Sequence, residues 1–309
     1  MTDTTPRVLV LGGINMGLIT RAETLPAPGQ TLRGQRFYSS PGGKGATQAV
    51  AASRQGARVK MVGRVGGDLF GPALLESLRA HGVDTADVAV DSEAASGVGI
   101  ILVDGSGQNR VLATYGANLR CGEEQLLAVE AALPETDILL LQMEIPLEVS
   151  LRAARAAGDR NVRVILDPAP AAGIPADAFA AFDVIAPNQT EAEYFVGVAV
   201  DGVESAARAA GLLLERGAPA AVIKMGELGA YYRSGDEEGF IPPFAVEAVD
   251  TTSAGDAFHG ALAVSLAEGG NLREAVTFAA AAGALAVTRP GVQDSMPERS
   301  EVEELLARM

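Results

Sequence analysis

The chain has 309 residues, 48% of them apolar and 20% charged, and a net charge of −15. Those proportions describe a globular protein with a large core, in one α/β domain or two. The acidic balance argues against DNA, RNA or anionic membranes bound through a basic field. The single cysteine, Cys121, excludes an intrachain disulfide and suits a reducing cytosol, and it reads as structural. The N-terminus lacks a basic stretch followed by a long apolar one, so no secretory signal is expected. The longest apolar run, 278–287, falls short of the roughly 18 residues of a membrane span. The expected location is the cytoplasm.

Residues 8–11 form a short apolar run ending at Gly12-Gly13, which predicts a buried strand. Residues 21–40, with Pro26, Pro28 and Gly29, read as an excursion from the main sheet with half-buried strands. Then come a helix at 45–54, a strand at 59–62 and a helix at 69–81 with Leu74, Leu75 and Leu78 inward. A second excursion follows as a hairpin, 97–103 and 111–115, turning at 104–107 and closed by 116–118. From residue 121 helix and strand alternate: helices at 123–132, 147–157, 176–181, 191–196 and 203–216, strands at 138–141, 162–166, 184–186 and 221–224. That alternation predicts a mostly parallel, doubly covered sheet. Edge strands at 230–232 and 240–246 and helices at 254–268, 272–288 and 299–307 complete the chain. No repeat, low-complexity segment or linker divides it, so residues 1–309 are read as a single domain.

Two stretches carry the chemistry. VDTTSAGDAFHG, 249–260, follows the apolar segment 240–249, crosses small residues and enters a helix in which Phe258, Leu262 and Leu266 recur every four positions. Uncovered amides at such a helix start can hold an anion. Asp256 there can cap the helix or take a proton from a bound hydroxyl. GGKGATQA, 42–49, lets backbone approach a ligand closely. Lys44 is followed by Gly45, so this is no Walker A loop, and Gly12-Gly13-Ile14-Asn15 breaks a dinucleotide fingerprint. The two histidines, His81 and His259, lack ligand spacing, which disfavours a zinc site and a Ser-His-Asp hydrolase. His259 reads as packing or solvent-facing. Several motifs directly follow predicted strands, so they converge on one sheet edge.

Together with GGINMG (12–17), VGRVGGDLFG (62–71), LQMEIP (141–146), LDPAPA (166–171), PNQTEAE (187–193), VIKMGELG (222–229) and VTRPGVQ (287–293), these stretches resemble in order the signatures of the ribokinase family of carbohydrate kinases. The resemblance covers almost the whole chain. It implies a three-layer α/β/α sandwich with a small β lid from about 15–40 and 95–117, which in the family often pairs across a homodimer. It implies Asp256 as catalytic base and an anion hole from the amides of Ala254, Gly255 and Asp256, the roles phosphoryl transfer needs. Asn15, Gly43, Lys44, Thr47 and Glu144 fall at sugar-contacting positions. Lys224, Gly226, Gly229, Gly255 and Ala280 fall at nucleotide positions. Asn188 and Glu191 match an N-x-x-E motif that supports Mg²⁺ through water. Asp250, Thr252, Ala286, Arg289, Gly291 and Ser295 match a monovalent-cation loop, which implies K⁺. Read from the residues alone, Asn188 and Glu191 are equally a turn residue and a first-turn charge, and Lys44 a solvated loop cation.

The chain departs from the family pattern at four places. Gly17 stands where a carboxylate normally holds ribose hydroxyls, Thr47 stands for Asn, Ala280 for Asn or His, and Lys224 for Thr. A buried polar partner removed costs about 1–3 kcal/mol. The expectation is therefore an ATP-dependent kinase acting on a primary hydroxyl of a small sugar or sugar-like alcohol, with ribose itself in question. A nucleoside, a sugar phosphate or a keto-deoxy acid remains open as acceptor, as does a non-catalytic nucleotide-binding regulator.

Overall fold

A computed structural model describes residues 4–105 and 108–308. Short, continuously apolar segments make the strands at the centre: β1 (Arg7–Leu11), β8 (Ile138–Leu141) and β9 (Arg163–Leu166). They join β4 (Arg58–Gly66), β5 (Asp84–Asp91), β10 (Val184–Ile185), β11 (Ala220–Lys224), β12 (Ala230–Ser234) and β13 (Glu238–Ile241) in one sheet ordered β13-β12-β11-β10-β9-β8-β1-β4-β5. All neighbours pair in parallel except β11–β12 and β12–β13. Alternate side chains of β1 go to opposite faces, as strand geometry demands. Val8 and Val10 enter a core with α1 (Lys44–Arg54), α2 (Phe70–Ala80), α7 (Ala254–Ala267), α8 (Leu272–Ala286) and α9 (Arg299–Leu306). Leu9 and Leu11 enter a second core with α3 (Glu123–Ala132), α4 (Leu147–Gly158), α5 (Gln189–Val196) and α6 (Val203–Glu215). The architecture is the expected three-layer sandwich.

The two excursions meet in a separate four-stranded sheet, β3-β2-β6-β7, built from β2 (Asn15–Arg21), β3 (Arg36–Gly42), β6 (Gly97–Val103) and β7 (Asn109–Thr114). The predicted turn at 104–107 includes residues 106 and 107, which lie outside the described residues. No helix among the described residues is long and apolar enough to cross a membrane.

Two expectations need correction. The strand predicted at 240–246 ends at Ile241, because Pro242 and Pro243 have no amide to donate to a ladder. Residues 242–253 then run irregularly, held near their end by the amides of Val249 and Asp250 on the Val287 carbonyl, at 2.7 and 3.1 Å. The 59–62 strand continues to Gly66, and the edge strand β5 is additional, its polar-rich DTADVAVD pattern hiding it from an apolar-run criterion.

α1 and α7 pack closely because Gly260 faces α1. A Cβ there would lie 2.5 Å from Ala51 Cβ and 2.7 Å from Ala52 N. Gly260→Ala therefore overpacks this contact, and urea unfolding should show a loss of about 1–3 kcal/mol, with fold and site geometry otherwise retained.

Candidate active site

The loop after β1 delivers Asn15 to the carboxyl edge of the main sheet. Gly43, with φ +90°, turns the chain into α1 so closely that a Cβ would stand 2.5 Å from the Asn15 amide. Glu144, in the loop after β8, accepts from Asn15 Nδ2 at 3.0 Å and from the Lys44 amide at 2.8 Å. Asn15 is fixed by a residue the sequence reading passed over. Fully buried Asn118 donates to Asn15 Oδ1 at 2.8 Å and closes a two-way bond with the Ile14 backbone. The predicted acceptor-site residues Asn15, Gly43, Lys44 and Glu144 are thus together. Thr47 is also buried there, and its Oγ1 has no hydrogen-bond partner among the described residues.

Lys44 Nζ lies 3.1 Å from Asp167 Oδ2 and 3.9 Å from Asp256 Oδ1. Gln48, one helical turn after Lys44, donates to both carboxylates from Nε2, at 2.8 Å to Asp167 and 2.9 Å to Asp256. Neither Gln48 nor Asp167 was singled out from the sequence. The available signals were a polar residue four positions from Lys44 in an Ala-rich helix, and an aspartate directly after a fully apolar strand. His259 is completely buried, not solvent-facing. Its Nδ1 lies 2.7 Å from the Gly255 carbonyl, the i, i+4 spacing of a helix, and its Nε2 3.6 Å from Asp167 Oδ1.

The electrostatics divide the carboxyls. Burial raises Asp256 to about 6, with Asp167 adding to the rise and Lys44 and the Gln48 bond opposing it. Burial raises Glu144 to about 7 against the pull of Lys44. Burial alone would raise Asp167 too, but the Lys224 and Lys44 ammoniums beside it hold it well below the usual carboxylate range, a pull His259 would join only if protonated. Burial alone would lower Lys44, yet Asp167, Asp256, Glu144 and Glu191 raise it, so it stays charged. Burial lowers His259 to about 3, so it is neutral. A poised base beside a fixed cation is the arrangement proton transfer from an alcohol requires.

At the start of α7 the Asp256 amide already donates to Ser253 O at 3.1 Å and that of Ala254 to Thr251 O at 3.5 Å. The Gly255 amide has no acceptor among the described residues, so Gly255 is the most available donor of the three expected. Asn188 and Glu191 close a reciprocal capping box, Asn188 Oδ1 accepting from the Glu191 amide and Glu191 Oε2 from the Asn188 amide, at 2.9 and 2.7 Å. Glu191 nevertheless feels Lys224 and Lys44, which places it at the same edge. Gly226 and Gly229 form the tight turn between β11 and β12, both at positive φ. Ala280 packs on the α7–α8 side as an apolar residue. Among the 250–295 positions, Thr252 Oγ1 and amide both donate to Asp250 Oδ1, Ser295 Oγ donates to Val292 O, and Arg289 pairs with Glu301. Gly291 takes φ +118° and Ala286 is buried at the end of α8. No group of three or more His, Cys, Asp or Glu among the described residues forms a metal cluster.

The fold and the strand-end position of these groups define a doubly covered α/β enzyme of the group-transfer kind. Residues 5–299 match the pfkB family carbohydrate kinase profile. The chain is 37% identical over 297 residues to ribokinase from Haemophilus influenzae, covering 96% of this chain and 97% of that one. It is 34% identical over 301 residues to deoxyribokinase from Salmonella typhimurium, covering 97% and 98%. The structure of Arabidopsis thaliana ribokinase complexed with ribose and ATP superposes with a TM-score of 0.89 at 31% identity, covering 98% and 99%. The chain belongs to the pfkB family of carbohydrate kinases and has the ribokinase-like fold.

Asp256 should cost stability when ionised. Its folded value, about 6, lies above the ordinary aspartate value of 3.8, so the favourable protonated contribution is present below the lower value and lost as pH rises through the higher one. Asp256→Asn should therefore stabilise the fold at pH 8 by on the order of 1–3 kcal/mol, seen as a raised thermal midpoint, with a much smaller effect at pH 4. Equal shifts at both pH values would contradict the burial of this carboxyl.

Proposed function

We propose that the chain transfers the terminal phosphoryl group of ATP to a primary hydroxyl of a small sugar or sugar-like alcohol, with Asp256 as the base. The observation that carries this reading is the contact set joining Asp256, Gln48, Asp167 and Lys44 at the N-terminus of α7. The acceptor hydroxyl lies against Asp256, which accepts its proton as the oxygen attacks phosphorus. The Asn15 amide and the Glu144 carboxylate hold the remaining hydroxyls, Glu144 accepting from them. The Gly255 amide, with that of Ala254, and the positive end of the α7 dipole meet the developing charge on the transferred group. The relatives named ribokinase and the Arabidopsis complex with ribose and ATP support both substrates.

Mg²⁺ would supply charge neutralisation for the phosphates, and Glu191 and Asn188, hard oxygen donors at this edge, would support it through water. K⁺ would be held by the loop around Asp250, Thr252, Gly291 and Ser295. The β3-β2-β6-β7 sheet is the lid that excludes competing water. Its far end exposes Phe37 and Leu112, at 68% and 67%, beside Ile100. This apolar strip supports pairing of two copies through the lid. Phe37→Glu with Leu112→Glu should then halve the mass measured by light scattering.

A second reading has one observation in its favour. Beside Gly17, where a Cβ would meet Ile19 and Ile101 at 3.3 and 3.7 Å, lies a cavity of about 260 Å³ reaching Tyr38, Asn109 and Arg21. It has room for an acceptor with a larger substituent, such as a nucleoside.

One assay decides among these. ADP release is measured with ribose, deoxyribose, other pentoses and nucleosides, with and without K⁺. Asp256→Asn should lower turnover of the best acceptor by a factor of about 10³ or more while ATP still binds. For the wild type, kcat/KM should fall as pH drops through about 6, where Asp256 takes up a proton. Unimpaired turnover by the Asn variant rules out this base.

A further inference from the structure

Lys224 closes β11 as its last residue, and its amide donates to Pro187 O at 2.9 Å. Its side chain, 13% exposed, passes under the catalytic edge. Nζ lies 3.4 Å from Asp167 Oδ1 and 3.5 Å from His259 Nε2, and 3.7 Å from the point a Cβ on Gly255 would occupy. The ammonium thus stands beside the helix start whose Gly255 amide is unused.

The protonation of His259 follows from its partners. A carbonyl oxygen only accepts, so the 2.7 Å contact with Gly255 O puts the proton on Nδ1. Nε2 is then a lone pair, and Lys224 Nζ lies almost equally far from both ring nitrogens, 3.4 Å from Nδ1 and 3.5 Å from Nε2, so it rests beside the ring and not on that lone pair. An ammonium has three donors. Asp167 takes one at long range, His259 offers only the side of its ring, and no further partner of Nζ is found among the described residues. Lys44 and Gln48 bind Asp167 on Oδ2 at 3.1 and 2.8 Å, whereas Lys224 reaches only the other oxygen, Oδ1, at the longer distance of 3.4 Å, so its contact with Asp167 leaves donors over. Ser253 Oγ, also at the α7 start and 3% exposed, likewise has no partner among the described residues. A part-buried ammonium with a spare donor and a buried hydroxyl without a partner point to an anionic ligand at this spot.

We propose that Lys224 is a catalytic cation that contacts the transferred phosphoryl group, and that Asp167 and His259 are positioning residues that aim it at the Gly255 amide. This rests on the kinase reading above. The step is the phosphoryl transfer already described: the oxygen–phosphorus bond to the acceptor forms, that to ADP breaks, and the acceptor proton goes to Asp256. Lys224 neither gains nor loses a proton. It neutralises equatorial charge, so its contribution is greatest in the transition state and absent toward ADP.

The test uses Lys224→Met and Lys224→Arg in the full chain. Three quantities are compared: kcat and KM for the best acceptor, the affinity for ADP, and the affinity for a non-hydrolysable ATP analogue. For Lys224→Met, kcat should fall by a factor of about 10²–10³, with acceptor KM and ADP affinity close to wild type. The analogue should lose affinity, narrowing its difference from ADP. Lys224→Arg should retain more activity than Met. His259→Asn, too short to bridge Gly255 O and Lys224, should show the same pattern in weaker form. Should Lys224→Met fail to fold, Lys224→Gln, which keeps a polar head for Asp167, is measured instead. A kcat within a few-fold of wild type overturns the proposal, as does equal loss of affinity for ADP and the analogue. A wild-type chain inactive on every acceptor overturns the kinase reading instead.

Discussion

Asp167 is the group on which the site's geometry depends. It lies directly beyond β9 with no exposure, and four polar side chains from three other elements converge on it: Lys44 and Gln48 from α1, Lys224 from β11 and His259 from α7. A carboxylate in such a place is tolerable only if it is fully partnered. That requirement works in both directions. The cations make the burial of Asp167 possible, and Asp167 holds two long, flexible lysine chains in fixed positions that solvent would not hold. Through Gln48 the same carboxylate reaches Asp256, so the base, both cations and the start of α7 form one connected network. Networks of this kind strengthen when complete and fail when one member is left unpaired.

The network also explains why three acids within one edge behave differently. Asp167 touches the cations and remains ionised. Asp256 and Glu144 are buried too, but Lys44 pulls each of them down less than burial, with the negative Asp167 added, pushes it up, so both rise toward neutrality. A base needs an affinity for protons near the working pH, and an acid that titrates at about 6 is better suited to that than one near 4. The same shift is a cost to the folded state, borne where the chemistry happens and offset by the two large cores on either side of the sheet. The close approach of α7 to α1 at Gly260 serves the same end, because it brings Asp256 within reach of Gln48.

The sandwich was legible because its signals are local. Continuous apolar runs at 8–11, 138–141 and 164–166 and Leu-rich helical spacing at 74–78 each record burial directly. What escaped was of two kinds. The edge strand β5 is half solvated and shows alternation instead of a run, and the Pro242-Pro243 pair stopped a strand that composition would continue. In the site, the residues recognised were those with unusual local grammar: Asp256 after small residues, Lys44 among glycines, Glu144 after a strand. Gln48 and Asp167 have only faint local marks, and Asn118 and His259 none. Their roles exist only in three dimensions, where chain separations of 35 to 208 residues close into contacts. His259 shows this best, since the carbonyl it binds lies one turn away but the lysine it faces lies 35 positions away.

The small sheet is tied to this network at one end only. β2 begins at Asn15, and β6 begins at Gly97, where a Cβ would collide with Asn15 Oδ1 at 2.0 Å. Asn118 then locks both to the loop after β1. At the other end β7 is exposed along its whole length. A sheet held rigidly beside Glu144 and sparsely covered farther out has its lowest local stability away from the chemistry. Its near end therefore preserves the distance between Asn15 and Glu144 whatever the far end does. The acceptor side of the site can stay preorganised while the outer strands admit or enclose a ligand, and that separation follows from where two glycines and two asparagines fall in the chain.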